Sequence, residues 1–561
     1  MGKQLKELLQ CWQKWETLFR KIARLYHTVK FLQLKQVVWR AIYLLPRFIR
    51  PVNTHPPLLI KHSVSEFISK QNKTDEFRNY HFLSESYNLF EVGWDNNAIS
   101  KLWRYNLHYF EFLLQHDISD KHQEVTSIID KWMDENEFGK GTGWEPYPTS
   151  LRIISCIKWH LKTKSLSDKV VLSLWNQTRW LAARPEYHLL GNHLFINAKA
   201  LLFSCALFQL DENSKIYNRA ITILDKELEE QFLADGAHFE LSPMYHSLAM
   251  EDLLDLMSIS SILPFSFPKD KLEKKLIKGM EWLKTMIYNN EELSHFNDSA
   301  NGVAPKYTEL KNYASRLGLN FMIHENKRVN YNSESGFIVF KDANTHLIAD
   351  VGHVGPDYLP GHAHADTLSF ELAINGQRII VNSGTSVYGT SPERHRQRST
   401  VAHSTIEVDG KNSSEVWSGF RVARRAIPFD IDINSVDSTN NSIRFNASHD
   451  GYKRLKSASI HKRSWSFNGN EWIIEDEISG KKNLVISRYY LHPDIEIENN
   501  SRGYIISKNN SNLAKIEILD ATDIEITDST YHDEFGISRL NKCLHVKAIS
   551  PCKLKIRIEL L

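Results

Sequence analysis

Three histidines, His362, His364 and His403, fall within fifty residues of one another, in GHAHADTLSFELAINGQRIIVNSGTSVYG and RQRSTVAHSTIEVDG, with Asp366 and Asn382 between them. The stretch reads as β-structure, in which alternate side chains share a face. That spacing predicts His362 and His364 on one strand face, with His403 approaching from a neighbouring strand. Imidazoles gathered in this way bind a metal or handle charge and protons. Any one of them taken alone reads more simply as a surface or core-edge histidine.

A second set lies upstream. LLGNHLFINAKALLF puts Asn192 and His193 just before or within the first turn of an apolar helix. An Asn at that point also serves as a plain N-cap. DGAHFELSPMYHSLAMEDLLDL puts Tyr245 and His246 at another helix start, with Pro243 suited to the first turn. Three further segments are dense in polar and aromatic groups: LWRYNLHYF (Arg104, Tyr105, Asn106, His108, Tyr109), GWEPYPTSLR (Trp144, Glu145, Tyr147, Arg152) and SHFNDSANG (Asn297, Asp298). Together they read as loops lining a polar, aromatic groove of the kind that holds an oligosaccharide.

Two kinds of element must position these groups. Before residue 330 apolar residues recur at helical spacing, as in LRIISCIKWHL, ITILDKELEEQFL and LEKKLIKGMEWLKTMI, with short Gly, Pro or Asn loops between. Successive antiparallel helix pairs predict an α-solenoid or a closed α/α toroid. After 330 short alternating strands take over, among them GFIVFKDA, HLIADVG, SFELAI, RIIVNSG, WIIEDEI, LVISRYYL and KLKIRIEL, punctuated by turns as in a β-sandwich. KRVNYNSESG (327–336) reads as the linker. The expected division is a basic amphipathic helical extension (1–50), a helical domain (51–328) and a β-domain (329–561).

A chain of 561 residues exceeds one ordinary core. Its 42% hydrophobic and 24% charged content is that of a globular protein, and a net charge of +2 argues against a dedicated nucleic-acid binder. Five scattered cysteines without CxxC spacing argue against a disulfide framework or zinc ribbon, and for a reducing compartment. The first fifty residues lack a continuous apolar core of a secretory signal, and no apolar run is long enough to span a membrane. A cytoplasmic location follows as the expectation, with periplasm or export by another route left open. The basic extension suits either peripheral contact with an anionic membrane or packing on the domain, the second being favoured.

The order GNHLF, ELSPMYH, GHAHAD…SFEL…NG and RSTVAHSTIEVDG resembles the heparinase II/III family of polysaccharide lyases, over nearly the whole chain. HTVKFLQLKQVVWR, LWRYNLHYF and VGPDYLPGHAHADTLSFEL resemble a signal-less bacterial branch associated with polysaccharide gene clusters. The resemblance implies an N-terminal α/α toroid, an incomplete barrel of helical hairpins, followed by an antiparallel β-sandwich. It implies β-elimination on a uronate glycan such as heparan sulfate, heparin, hyaluronan or chondroitin sulfate. It assigns Asn192 and His193 to the substrate carboxylate, Tyr245 to the leaving oxygen as acid with a role as base also open to it, and His362 either to the C5 proton or to neutralising the carboxylate. Arg104, His108, Arg152 and His246 become expected subsite contacts for anionic sugars. His364, Asn382 and His403 become the expected ligands of a mainly structural divalent ion, zinc or manganese rather than calcium, with Asp366 behind them. Asn382 departs from the family pattern, in which an Asp is frequent. The expected partner is an anionic polysaccharide, and a homodimer paired through the β-domain is compatible with the resemblance. A glycoside hydrolase would need two carboxylates across the scissile bond, and no such pair stands out. A glycan-binding accessory protein of exopolysaccharide biosynthesis, or a lyase for alginate or a private exopolysaccharide, is the other reading.

Overall fold

The structure is a computed structural model in which residues 2–45, 48–56, 67–164, 166–265, 267–319, 328–437 and 442–561 are described. From Lys101 to Arg316 the helices are of two kinds. Pro146–Thr163, Gly191–Phe208 and Pro243–Ile259 are buried on nearly every side. His122–Glu135, Asp168–Ala183, Lys215–Gln231 and Lys269–Thr285 bury one face only. A helix apolar all round belongs inside, and a striped one outside. The buried helices pack on one another in chain order, so they form an inner ring with the striped helices around it, an incomplete α/α toroid. Each inner helix is followed by an outer one running back. The inner helices are therefore parallel, and their N-termini collect at one rim.

Buried charge ties the inner ring together. Lys199 reaches Asp252 (2.6 Å) and Asp255 (2.5 Å), Lys158 reaches Asp255 (2.6 Å), and Lys70 reaches Glu251 (2.8 Å). Tyr313 donates to the same Asp255 at 3.1 Å. Three lysines face three carboxylates, so the cluster is neutral, the condition under which buried charge is tolerated.

The β-region is a sandwich of an eight-stranded and a nine-stranded antiparallel sheet. Strand Phe337–Lys341 shows how it meets the toroid. Ile338 and Phe340 enter the sandwich core with Trp472 and Phe467, whereas Phe337 and Val339 pack with Trp282, Met286 and Phe296 of the helical half. Both faces are covered, which explains the unbroken apolar run FIVF. The segment expected to be the linker is partly strand, since Val329–Asn332 pairs with Phe337–Phe340. Strands Pro428–Asp437, His461–Phe467, Gly503–Lys508 and Asp523–Tyr531 add to those the alternation pattern marked out.

The expectation that His362 and His364 share a strand face is corrected. They lie in the irregular segment 351–369 between strands Thr345–Asp350 and Phe370–Ile374. His403 follows a short 3-10 turn, Thr400–Ala402, and precedes strand Ile406–Val408. The N-terminal extension is two helices, Gly2–Val29 and Leu34–Leu44. The second rests on the toroid rim, with Trp39 against Tyr187 (4.6 Å between ring centroids) and Tyr43 against His188 (4.1 Å).

Candidate active site

Helix Pro243–Ile259 is started by Ser242, whose side chain accepts from the Tyr245 N–H at 3.3 Å, with proline in the first turn. The Ser242 hydroxyl in turn donates to the Asp298 carbonyl at 2.6 Å. These bonds set Tyr245 at the rim. Its ring lies 4.1 Å from the His362 ring, centroid to centroid, and its hydroxyl is 2.9 Å from that of Tyr388. Behind His362 sits Asp298, fully buried, its Oδ2 2.9 Å from His362 Nδ1 and its Oδ1 2.8 Å from His364 Nε2. Arg394 grips the same carboxylate with both terminal nitrogens, Nη2 at 2.6 Å.

Burial alone would raise the Asp298 carboxyl, but Arg394 and the two histidines hold it well below the usual carboxylate range. An anionic Asp298 accepts from both rings. His362 therefore carries its proton on Nδ1, leaving the Nε2 lone pair free, and its side chain is 20% exposed and reachable. Burial, then the neighbouring Tyr388 and Asp298, push the Tyr245 phenol well above its ordinary value. Tyr245 is thus a protonated acid beside an imidazole whose Nδ1 is turned to Asp298.

Asn192 and His193 occupy the first turn of Gly191–Phe208, whose N-cap is Leu190, so Asn192 is not the cap. Leu190 has φ +67° and Gly191 φ +56°, a bend that swings the helix N-terminus into the rim. A Cβ on Gly191 would meet Leu359 Cδ2 at 2.3 Å, so the β-domain segment that carries His362 presses directly on this turn. His193 Nδ1 is 3.3 Å from Glu186 Oε1, and its ring lies on Tyr147 at 4.5 Å. Asn197 holds Glu186 in place, accepting from its N–H (2.8 Å) and donating to Oε2 (3.2 Å). Burial opposes charge on His193, but Glu186, then Glu240 and Glu145, outweigh it and raise the imidazole above its ordinary value.

One step behind Asp298 is a buried nitrogen–oxygen cluster. His364 Nδ1 faces His403 Nε2 at 3.2 Å, and a ligand atom from each of His364, Asp366 and His403 lies within 4.8 Å of the others. His364 gives its Nε2–H to Asp298, so its Nδ1 is the acceptor of the His403 Nε2–H. Burial pushes His364 down to about 4 and His403 well below its ordinary value, so both rings are neutral, the form that ligates a metal. Asp366 is pushed up to about 6 by burial, a penalty that a bound cation would offset. Two imidazoles and one carboxylate fit zinc or manganese better than calcium. Asn382, the expected third ligand, is otherwise engaged. Its Oδ1 accepts from Ser404 N–H at 3.1 Å and its Nδ2 donates to Ser369 Oγ at 3.3 Å. Asp366, expected behind the ligands, stands in the cluster itself.

Residues 70–321 match the heparinase II/III N-terminus family, and residues 325–551 match the heparinase II/III-like C-terminal family. The chain belongs to the heparinase II/III family. A heparin-sulfate lyase of Bacteroides stercoris is 26% identical over 341 residues, 56% of this chain and 47% of that protein. A second heparin-sulfate lyase, from Pedobacter heparinus, is 26% identical over 40% of this chain and 36% of its own length. The match thus spans about half or less of these curated relatives. The fold is that of a heparinase III structure (TM-score 0.70, 18% identity, 94% of this chain and 89% of that one). A heparan sulfate lyase structure from Pedobacter heparinus shares it (TM-score 0.57, 18% identity, 86% and 81%).

In this heparinase II/III chain three of the four expected subsite residues are buried. Arg152 is fully buried, stacked 3.9 Å from the Trp132 ring, and donates to Gln177 Oε1 (2.9 Å) and the Gly143 carbonyl (2.8 Å). His108 is fully buried and accepts from Trp132 Nε1 at 3.0 Å. His246 is fully buried, accepting from the His238 N–H (3.0 Å) and donating to the Gly279 carbonyl (2.8 Å). These three present no polar atom to a ligand; they hold the toroid together. Arg104 is partly accessible, and its Nη1 donates to Asp95 (2.5 Å) and Asn97 (2.8 Å). Conversely, Arg394 and Tyr388 carry the site and stood out in no motif. Asp298 was visible only as one polar residue of SHFNDSANG. The cue for Arg394 is its place in a Ser-capped, charge-rich helix, Pro392–Arg398, that reads as a surface element yet buries the arginine completely.

Proposed function

We propose that this protein is a polysaccharide lyase that cleaves uronate-containing glycans by β-elimination, leaving a 4,5-unsaturated uronate. The observation that carries this reading is the close Tyr245–His362 ring pair with anionic Asp298 behind the histidine. The C5 proton of a uronate is a poor acid because the adjacent carboxylate is already negative. Its removal requires that the carboxylate be neutralised as enolate charge develops. Asn192 and the raised-pKa His193 stand at the positive end of helix Gly191–Phe208, where an anion is stabilised. In this scheme they bind the carboxylate. His362 Nε2 takes the C5 proton, and Asp298 stabilises the imidazolium that results. Tyr245, kept protonated by burial, gives its proton to O4 as the glycosidic bond breaks. Tyr388 fixes the direction of the Tyr245 hydroxyl.

His364, Asp366 and His403 would hold a divalent ion, zinc or manganese by donor type. When bound it would supply fixed positive charge that locks His364, and through it Asp298, in place. The names of the curated relatives, both heparin-sulfate lyases, support a heparin-like glycosaminoglycan as the substrate; hyaluronan and chondroitin sulfate rest on the family resemblance alone.

The test is absorbance of the conjugated double bond during incubation with these polymers, alginate and polygalacturonate. A rise on at least one, abolished in Tyr245→Phe and His362→Ala, is expected. Release of reducing ends without absorbance would replace elimination by hydrolysis. Binding without turnover on every polymer would favour a glycan-binding accessory role.

A further inference from the structure

Residues 1–50 hold eleven Lys and Arg against two acids, Glu7 and Glu16, a net +9 in a chain of net +2. The remaining residues therefore carry net −7. The family matches begin at residue 70, so this basic block lies outside them. It is also where apolar surface is most exposed. On helix Gly2–Val29, Trp15 is 66%, Phe19 73%, Ile22 56% and Tyr26 64% exposed. With Leu18, Leu25 and Val29, also exposed, they recur every three or four residues and form one stripe. Arg20 and Arg24 lie on the opposite side and Lys21 on its flank, all exposed.

The contacts with the body leave that stripe free. The helix end is held by Trp417, which donates to Thr28 Oγ1 at 3.1 Å, and by Arg425, stacked 3.9 Å over Phe31. The second helix has two faces. Gln36, Trp39 and Tyr43 sit on the protein, with Gln36 donating to the Tyr358 carbonyl at 3.4 Å. Leu34, Val37, Val38, Leu44 and Leu45 face outward and are exposed.

We propose that this two-helix extension docks the protein on an anionic lipid bilayer, lying in the interface plane. Aromatic and aliphatic side chains on one face with arginine and lysine on the other are the pattern of such a helix. No helix among the described residues is long and apolar enough to cross a membrane, so the extension rests on the surface rather than spanning it. A second copy of the chain fits less well. A paired-helix seam favours Leu, Ile and Val over Trp, Phe and Tyr, and is flanked by opposite charges; here the charged face is almost wholly basic. The acidic remainder is repelled by the same lipid charge, which orients the molecule. Tyr187 and His188, which carry the second helix, are close in sequence to Glu186 and His193, so docking places the candidate active site beside the lipid surface.

The test is sedimentation of the full chain with vesicles of phosphatidylcholine, and of phosphatidylcholine mixed with phosphatidylglycerol. Binding to the mixed vesicles that weakens with salt is expected. Arg20→Gln with Lys21→Gln should lower it about thirty-fold, and Phe19→Ala with Ile22→Ala about a hundredfold. Circular dichroism and melting of each variant establish that the fold is kept. Absence of binding to the mixed vesicles, or binding that neither pair of substitutions changes, overturns the proposal. So does a dimer in free solution that Phe19→Ala with Ile22→Ala converts to monomer without any vesicle binding.

Discussion

Asp298 touches more of the candidate chemistry than any other side chain, though it never faces substrate. Asp298→Asn keeps the shape but removes the charge that fixes the His362 tautomer. A fall in kcat of about a hundredfold with KM little changed is expected, the size of a misplacement effect, and steady-state kinetics on the cleaved polymer would measure it. His193 gives a pH signature. Its folded pKa is raised above 6.5. The charged form and the stability it brings are complete below pH 6.5 and are lost as pH rises through the folded value. If the imidazolium binds the carboxylate, kcat/KM falls on that same alkaline limb, and His193→Gln flattens it; a wild-type limb retained in the variant would remove His193 from the role. For the ion, His403→Ala should abolish bound zinc or manganese by elemental analysis and lower Tm by several degrees. At this scale residue type was a mixed guide. Tyr245 and His362 meet, and the turn that carries Asn192 and His193 abuts Leu359 of the His362 segment; the roles their motifs implied remain the proposal. Arg152, His108 and His246 have the same chemistry in the sequence but are buried, and burial is set by neighbours far along the chain. Arg394 reaches Asp298 across 96 residues, a pairing that no local pattern encodes.

Among the elements, the turn into Gly191–Phe208 is the point of closest fit between the two halves. Gly191→Ala adds a methyl against Leu359 at a positive φ. It should cost about 1 kcal/mol for the backbone alone and more for the clash. Leu359→Ala should restore part of the stability and activity, and denaturant melts of the double-mutant cycle would show the coupling. The inner ring makes a different prediction. Asp255→Asn leaves Lys158 and Lys199 without their shared carboxylate, and a loss of about 3–5 kcal/mol is expected by the same melts. Helices were legible because their apolar spacing is long and regular. The segment around His362 was not: its alternation resembled a strand, but its Gly and Pro residues and the demands of the Asp298 contact keep it irregular. Of the strands that escaped, Pro428–Asp437 (PFDIDINSVD) and Asp523–Tyr531 (DIEITDSTY) do alternate, whereas His461–Phe467 (HKRSWSF) and Gly503–Lys508 (GYIISK) show no clean period.

At the scale of the molecule, the toroid and the sandwich share a core. Trp282 from the helices packs with Phe337 and Val339 from the nine-stranded sheet. Trp282→Ala should cost about 3–5 kcal/mol, and because the cavity lies at the junction, calorimetry should show the two halves melting less cooperatively. The change of pattern near residue 330 was enough to divide helices from strands, whereas the way the halves grip each other depends on contacts that no window of sequence contains. The order of the eight-stranded sheet has a temporal meaning. Strand Cys552–Leu560 is inserted between Glu471–Ile478 and Ser511–Leu519. A ribosome that has made every earlier residue still holds a sheet split down its middle, with two unsatisfied edges open to other chains. Pairing of Cys552–Leu560 on both sides is the stroke that closes it, so a chain cut after Pro551 would hold both half-sheets and no finished sandwich.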